Sequence, residues 1–265
     1  VFSHDNKTLA VGGGKGDRSV HLWDVTDPTL PKRASGPLPA DGDVDSIAIT
    51  RDDSVLAAAS GPVVRMWNIH DPYRPVRAGP DIRLPAVAAG LAISPDNRTL
   101  AVGSTDGLTR LFDLNDPARP TQLSEPLVST PGELVTTAAF TPDGRILATA
   151  GNDHDVRLWD VSVPSQPRPA GILRGHTDNI FKIAISPDGT RLASVGANHT
   201  VRVWNIADPA QPREEPPLLE QTESVGGVAW SSDSALLATG SSDTTIALWD
   251  MTNPDGGRLV GTPIT

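Results

Sequence analysis

The chain of 265 residues contains no cysteine. Disulfides and thiolate metal sites are therefore excluded, and the usual clue to redox compartment is missing. No apolar run approaches the roughly 18 residues of a membrane-spanning helix, and no opening stretch has the make-up of a secretory signal. A cytoplasmic setting is the expectation, with no membrane partner for this segment. Basic residues are in deficit: 22 Lys and Arg stand against 32 Asp and Glu, giving a formal net charge of −10. Such a surface repels phosphate backbones, so no nucleic acid partner is expected either. Gly-x-Ser-x-Gly, His-Glu-x-x-His and the dinucleotide-binding fingerprint are all absent.

What the chain does have is a period. The stretch Gly151-Asn152-Asp153-His154-Asp155-Val156-Arg157-Leu158-Trp159-Asp160-Val161 returns in related form along its whole length. Its aromatic residue falls at Trp23, Trp67, Phe112, Trp159, Trp204 and Trp249, in steps of 44 to 47 residues. A period this regular means one supersecondary unit stacked repeatedly. The six units run over about 1–40, 41–84, 85–130, 131–175, 176–220 and 221–265, and together they read as a single domain over 1–265. The first lacks most of its first strand.

Each unit has the same order of parts. An apolar strand such as Ile180–Ile185 leads into a tight turn, of which Ser94-Pro95-Asp96-Asn97, Thr141-Pro142-Asp143-Gly144 and Ser186-Pro187-Asp188-Gly189 are the clearest copies. Pro presets φ, Asp can bond its own backbone, and Gly or Asn tolerates positive φ. Ser3-His4-Asp5-Asn6, Thr50-Arg51-Asp52-Asp53 and Ser231-Ser232-Asp233-Ser234 are looser versions. A second strand of small residues follows, then a polar hairpin and a third strand that holds the aromatic residue. A Pro-bearing connector, such as Asp208-Pro209 or Asn253-Pro254, enters a weak fourth strand at the sheet edge, as in Arg213–Leu219. Four antiparallel strands in about 45 residues describe one blade of an all-β propeller.

These motifs resemble the WD-repeat family of β-propellers, over nearly the whole chain. The resemblance implies four-stranded antiparallel blades, six of them covered. The family most often closes with seven, so the expectation is a ring whose missing part precedes Val1, with a six-bladed ring as the alternative. The Asp-Pro-x-x-Pro connector and the Ala, Arg and Pro bias are similar to bacterial members of high-GC origin, whose propellers are often attached to an NTPase or a serine/threonine kinase. Within each blade the family places a hydrogen-bonded set of His, Ser or Thr, Asp and Trp. Unit five matches with His176, Ser194 and Trp204, with Asn198 in the Asp place. Unit four offers Thr149, Asp153 and Trp159, with Pro131 near the expected His. Unit six offers Thr239, Asp243 and Trp249, with Gln221 in the His place. Unit three has Asp106 beside Phe112, unit one has Asp17 and Trp23, and unit two has Trp67 alone because Gly61 replaces the Asp. These roles are structural: a buried indole N–H needs a partner.

Other candidates weaken on inspection. Gly12-Gly13-Gly14-Lys15-Gly16-Asp17 has a phosphate-loop flavour, but no Ser or Thr follows Lys15 and no helix follows, so it reads as a long hairpin turn. Asp41-Gly42-Asp43-Val44-Asp45 spaces three carboxylates as calcium would like, yet lacks the glycine and terminal Glu of a calcium loop; a solvated loop is the preferred reading. The histidines show no zinc spacing. No metal and no cofactor is expected.

That leaves surfaces. The resemblance implies contacts at two kinds of position on the top face. One is the pair flanking the first core residue of the first strand: Asp43 and Asp45, Leu134 and Thr136, Asn179 and Phe181, Ser224 and Gly226. The other is the residue before the hairpin Asp: Thr105, Asn152 and Ser242. Phe181 is the only aromatic among them and is either an anchor or a cover for the central channel. Asp43 and Asp45 favour a basic partner. The expected function is a non-catalytic scaffold binding protein or peptide, other domains of the same parent chain included. The alternative is a ligand-sensing domain that controls an attached NTPase or kinase.

Overall fold

The computed structural model describes every residue except Lys15, Pro217, Leu219, Glu220, Pro254 and Asp255. Lys15 of the Gly-rich turn, Leu219 of the weak fourth strand and Pro254 of the last connector thus lie outside the described residues. The described residues form strands and turns only, arranged as six antiparallel sheets. They divide into two compact parts, Val1–Val128 and Ser129–Thr265.

The first part holds sheets one to three. Sheet one comprises Thr8–Gly12, Ser19–Asp24, Lys32–Arg33 and Leu38–Pro39; only Phe2, bridged to Leu9, stands in for its first strand. Sheet two runs Ser46–Ile49, Val55–Ser60, Val63–Asn68, Val76–Arg77 and Ile82–Arg83. Sheet three runs Ala88–Ile93, Thr99–Ser104, Leu108–Asp113, Thr121–Gln122 and Leu127–Val128. The second part holds sheet four (Val135–Phe140, Ile146–Gly151, Asp155–Asp160, Arg168–Arg174), sheet five (Ile180–Ile185, Arg191–Gly196, Val201–Asn205, Arg213–Glu214) and sheet six (Val225–Trp230, Leu236–Ser241, Ile246–Asp250, Arg258–Leu259).

The tight turns explain why the chain reverses where it does. In all six, the fourth residue sits at positive φ: Asn6, Asp53, Asn97, Gly144, Gly189 and Ser234. In all six, its N–H bonds the carbonyl of the first turn residue. The first residue is always Ser or Thr, and its hydroxyl accepts the N–H that opens the second strand, as with Thr99 to Ser94 at 2.9 Å, Val55 to Thr50 at 2.8 Å and Leu236 to Ser231 at 2.8 Å. The copies that look looser in sequence are therefore built like the others. The fourth residue has a second use. Asp53 accepts the N–H groups of His4 (2.6 Å) and Asp5 (3.0 Å) in the preceding unit's turn, and Asn97 accepts that of Arg51 (2.6 Å). Where Pro187 removes the equivalent donor, Ser234 instead takes the next one, from Asp188, at 3.1 Å. A side chain that caps a neighbour offsets the backbone cost of a left-handed conformation.

The aromatic residues repeat for a packing reason. Each lies opposite a leucine of the second strand: Trp23–Leu9, Trp67–Leu56, Phe112–Leu100, Trp159–Leu147, Trp204–Leu192 and Trp249–Leu237. From Leu56 onward those leucines are wholly buried, where truncation to Ala costs about 2–5 kcal/mol. The cores lie between neighbouring sheets, one with two, two with three, four with five and five with six. This is the nearest-neighbour stabilisation of a repeat array.

The fourth strand differs from the simple expectation. In sheets one, two and three it is split into two short pieces separated by a bend. Pro37, Pro80 and Pro126 stand in those bends, and proline cannot donate to a ladder. Among the described residues sheet four alone has a run of 7 residues there, Arg168–Arg174, which includes Pro169.

Candidate interaction site

Sheets three to six share an irregularity near the start of the first strand. The register slips by one residue between Ala88 and Gly90, Val135 and Thr137, Ile180 and Lys182, and Val225 and Gly227. The extra residues are Ala89, Thr136, Phe181 and Gly226. A bulge leaves its residue unpaired and re-aims it. Three of these four are positions that the sequence singles out as contacts.

Backbone hydrogen bonds then join the two kinds of contact position. The N–H of Asn152 donates to the Leu134 carbonyl, that of Ala197 to Asn179, and that of Ser242 to Ser224, each at 2.9 Å. In sheet three Thr105 makes the same bond to Val87 at 2.9 Å. Hairpin and strand start are thus fixed to each other in units three to six. Phe181 is 39 % exposed; Thr105 and Ser242 are exposed, while Leu134, Asn152, Asn179 and Ser224 are half-buried. Thr136 is engaged differently: its hydroxyl donates to the Ile180 carbonyl of the next unit at 2.6 Å.

In the first compact part Asp43 and Asp45 are exposed. Partial burial, and then the Asp43 charge, raise the pKa of Asp45. Asp41 is paired with Arg65 at 2.9 Å. Among the described residues no group of three or more His, Asp or Glu side chains is placed to hold a metal ion. A cleft of about 460 Å³ between sheets one and two is lined by Asp5, Asp24, Asp52, Asp53, His70 and Tyr73. Its carboxylates are already bonded. The Tyr73 hydroxyl donates to Asp24 at 2.5 Å, and that bond is the main reason the Asp24 pKa falls to about 2.

Behind the display positions lies the polar set. In unit five the Trp204 indole N–H donates to Ser194 Oγ (2.9 Å), Ser194 meets His176 Nε2 (2.7 Å), and His176 Nδ1 meets Asn198 Oδ1 (3.0 Å). Burial lowers the His176 pKa to about 4, with Arg202 adding to the shift and the Asn198 bond opposing it. The imidazole is neutral at pH 7; Nδ1–H donates to Asn198 and Nε2 accepts from Ser194. Trp159 donates to Thr149 at 2.9 Å and Trp249 to Thr239 at 3.0 Å, and Gln221 fills the His place by donating to Thr239 at 2.7 Å. In units one to three the matching second-strand residues are Val11, Ala58 and Val102, which offer no hydroxyl.

One structural residue per unit escapes a reading centred on histidine. Two residues before the aromatic stands a cationic or imidazole side chain: His21, Arg65, Arg110, Arg157 and Arg202, with Ala247 the exception. Arg157 pairs with Asp153, Arg110 with Asp106 at 2.7 Å, and His21 with Asp17 at 2.7 Å. The resemblance implies an imidazole partner for Asp153. It is instead held by Arg157 and by the Thr130 hydroxyl at 2.8 Å, because Pro131 leaves the His place empty of donors. In unit six Asp243 is bonded by Thr222 at 3.0 Å and by Thr245, not by Gln221. The Val-Arg-x-Trp pattern was visible in the sequence. His154 and His199 occupy positive-φ hairpin positions at 64° and 61°.

Repeated four-stranded antiparallel sheets with these bonded tryptophans define the blades of a β-propeller. The WD40 family model, described as WD domain, G-beta repeat, matches residues 1–24, 87–113, 124–160, 167–205 and 217–250, which is more than half of the chain. The chain belongs to the WD40 repeat family. No curated protein matches it. Domains of this family are typically non-catalytic and generally bind proteins or peptides. Unit two falls outside the matched stretches, and it is the unit whose hairpin has Gly61 in place of the Asp.

Proposed function

We propose that this chain is a non-catalytic scaffold that binds protein or peptide through the bulge and hairpin positions of sheets four to six, with Phe181 as the anchor. The observation that supports it is the bulge at Phe181. It unpairs a large aromatic and leaves it 39 % exposed in a sheet whose polar set is complete. A rigid display of this kind loses little entropy on docking, and aromatic residues are the commonest hot spots. Asn152 and Ser242 differ from unit to unit and would set specificity around it. In the other compact part, Asp43 and Asp45 suit a basic segment, since a cation there offsets their mutual repulsion. On this reading the partners include other domains of the same polypeptide, and the setting is cytoplasmic signalling. The test is a pull-down with wild type, Phe181→Ala and Asp43→Lys, each first shown to melt as wild type does. Partner recovery should fall at least tenfold for Phe181→Ala, as expected for roughly 1.4 kcal/mol or more at a hot spot. Unchanged recovery would remove Phe181 from the site.

A further inference from the structure

We propose that the outer strand Arg168–Arg174 of sheet four is a second docking edge, which takes up an extended acidic segment of a partner protein by β-strand addition. Three observations converge on it. First, among the described residues it is the longest fourth strand, continuous through Pro169 and a one-residue register slip opposite Leu158 and Trp159: Ile172 stands, next to the buried Leu173, where units one, three and six have Pro37, Pro126 and Pro263 next to Leu38, Leu127 and Ile264. Those residues occupy one register position, opposite Val20, Thr109, Val156 and Ile246. Second, among the described residues the strand's backbone is hydrogen-bonded to Asp155–Asp160 and to no other segment, so its outward C=O groups and the outward N–H groups beyond Pro169, which has none, are unpaired. The neighbouring unit packs against its face rather than its edge: a Cβ on Gly171 would meet the Pro209 carbonyl at 2.2 Å. Third, the edge is marked by chemistry. Ile172 is 40 % exposed, and Arg168 and Arg174 stand exposed at the two ends. Asp160 and Asp155 offset these cations only in part; the Arg174–Asp155 distance is 3.7 Å.

Strand addition draws affinity from main-chain bonds and specificity from alternate side chains. A second copy of this chain is the poorer occupant, because antiparallel self-pairing would set Arg168 against Arg174 at both ends, and like charges opposite each other destabilise a sheet. An acidic segment makes those pairs favourable. The chain's overall charge of −10 opposes its approach mainly at low salt, since the Debye length is about 8 Å at physiological ionic strength.

The probe is a fluorescently labelled synthetic peptide alternating Glu with Val, titrated by anisotropy at physiological salt, with amide exchange read in parallel. Wild type should bind it and gain protection within residues 168–174. Ile172→Pro, which reinstates the proline of units one, three and six, should weaken binding by about tenfold or more, the loss of roughly one good hydrogen bond or two. Ile172→Thr should keep it. Should Ile172→Pro fail to fold, Arg168→Glu/Arg174→Glu decides, because it leaves the strand intact and should weaken binding to a similar extent. Several results would overturn the proposal: no binding by wild type, equal binding by either disrupted variant, equal binding of a Lys-for-Glu peptide, or a sedimentation dimer that Ile172→Pro abolishes.

Discussion

Histidine 176 makes unit five sensitive to acid in a way that can be calculated. Its pKa lies at about 4, against an ordinary value of 6.5, and burial is the first cause. Above pH 6.5 the folded and unfolded states both hold it neutral, and its contribution is complete. Between pH 6.5 and 4 only the unfolded chain takes up the proton, so stability is lost as pH falls. Below the folded pKa both states are protonated and the loss levels off. The difference of about 2.5 units corresponds to roughly 3 kcal/mol. The perturbation to compare is His176→Gln, which copies the arrangement that Gln221 makes with Thr239 in unit six. Gln does not titrate, so the stability gap between wild type and variant should shrink by about 3 kcal/mol from pH 7 to 4. The assay is urea unfolding of both proteins across that range. Carboxylates such as Asp106, Asp143 and Asp188, whose pKa values are lowered, lose their contribution below about pH 3.8 and do so equally in both proteins. A gap that stays constant from pH 7 to 4 would refute the buried, neutral imidazole. So would an imidazole NMR titration centred near 6.5.

Three other outcomes follow from the turns and the ion pairs. Asn97→Gly should lose only the cap on Arg51, about 1 kcal/mol, whereas Asn97→Ala should lose about 1–2 kcal/mol more by placing a Cβ-bearing residue without a cap at positive φ; equal losses would show that the conformation costs nothing. Thr244 is β-branched, exposed and held at φ 71°, so Thr244→Gly should stabilise by about 1 kcal/mol in thermal melts. Arg157→Ala strands the Asp153 carboxylate, which is 8 % exposed, and should cost about 3 kcal/mol. Adding Asp153→Ala to it should recover part of that loss, and a purely additive double mutant would contradict the pairing.

Much of this architecture is legible in the sequence because turn chemistry and apolar runs are local. Ser186-Pro187-Asp188-Gly189 states its own conformation, and the spacing of Trp159, Trp204 and Trp249 states the repeat. Non-local features are harder to see. Thr50 and Ser231 look like degenerate turn starts until their hydroxyls are found bonded to the N–H groups of Val55 and Leu236. Asp53 and Asn97 look like tolerated misfits, yet each caps a turn of the preceding unit. Bulges have no shared residue type, since Ala89, Thr136, Phe181 and Gly226 have nothing in common but their place. The candidate contact positions were named by resemblance, and the bonds from Asn152 to Leu134 and from Ser242 to Ser224 supply a physical reason for treating them in pairs. Arg157 and Arg110 stand two residues before the aromatic in the sequence, but their pairing with Asp153 and Asp106 shows only in the structure. The proline beside the outer strands of units one, three and six reads in sequence as an edge device; only the paired register shows that Ile172 replaces it.

The most direct test of the scaffold reading is site-specific photo-crosslinking. Phe181 and Leu236 are both 39 % exposed, but Phe181 sits on a bulge beside the hairpins and Leu236 opens a second strand after a tight turn. With benzoylphenylalanine placed at each position in turn, a partner protein should be captured in high yield from position 181 and at background level from position 236. Equal capture from both, or capture from 236 alone, would contradict the account.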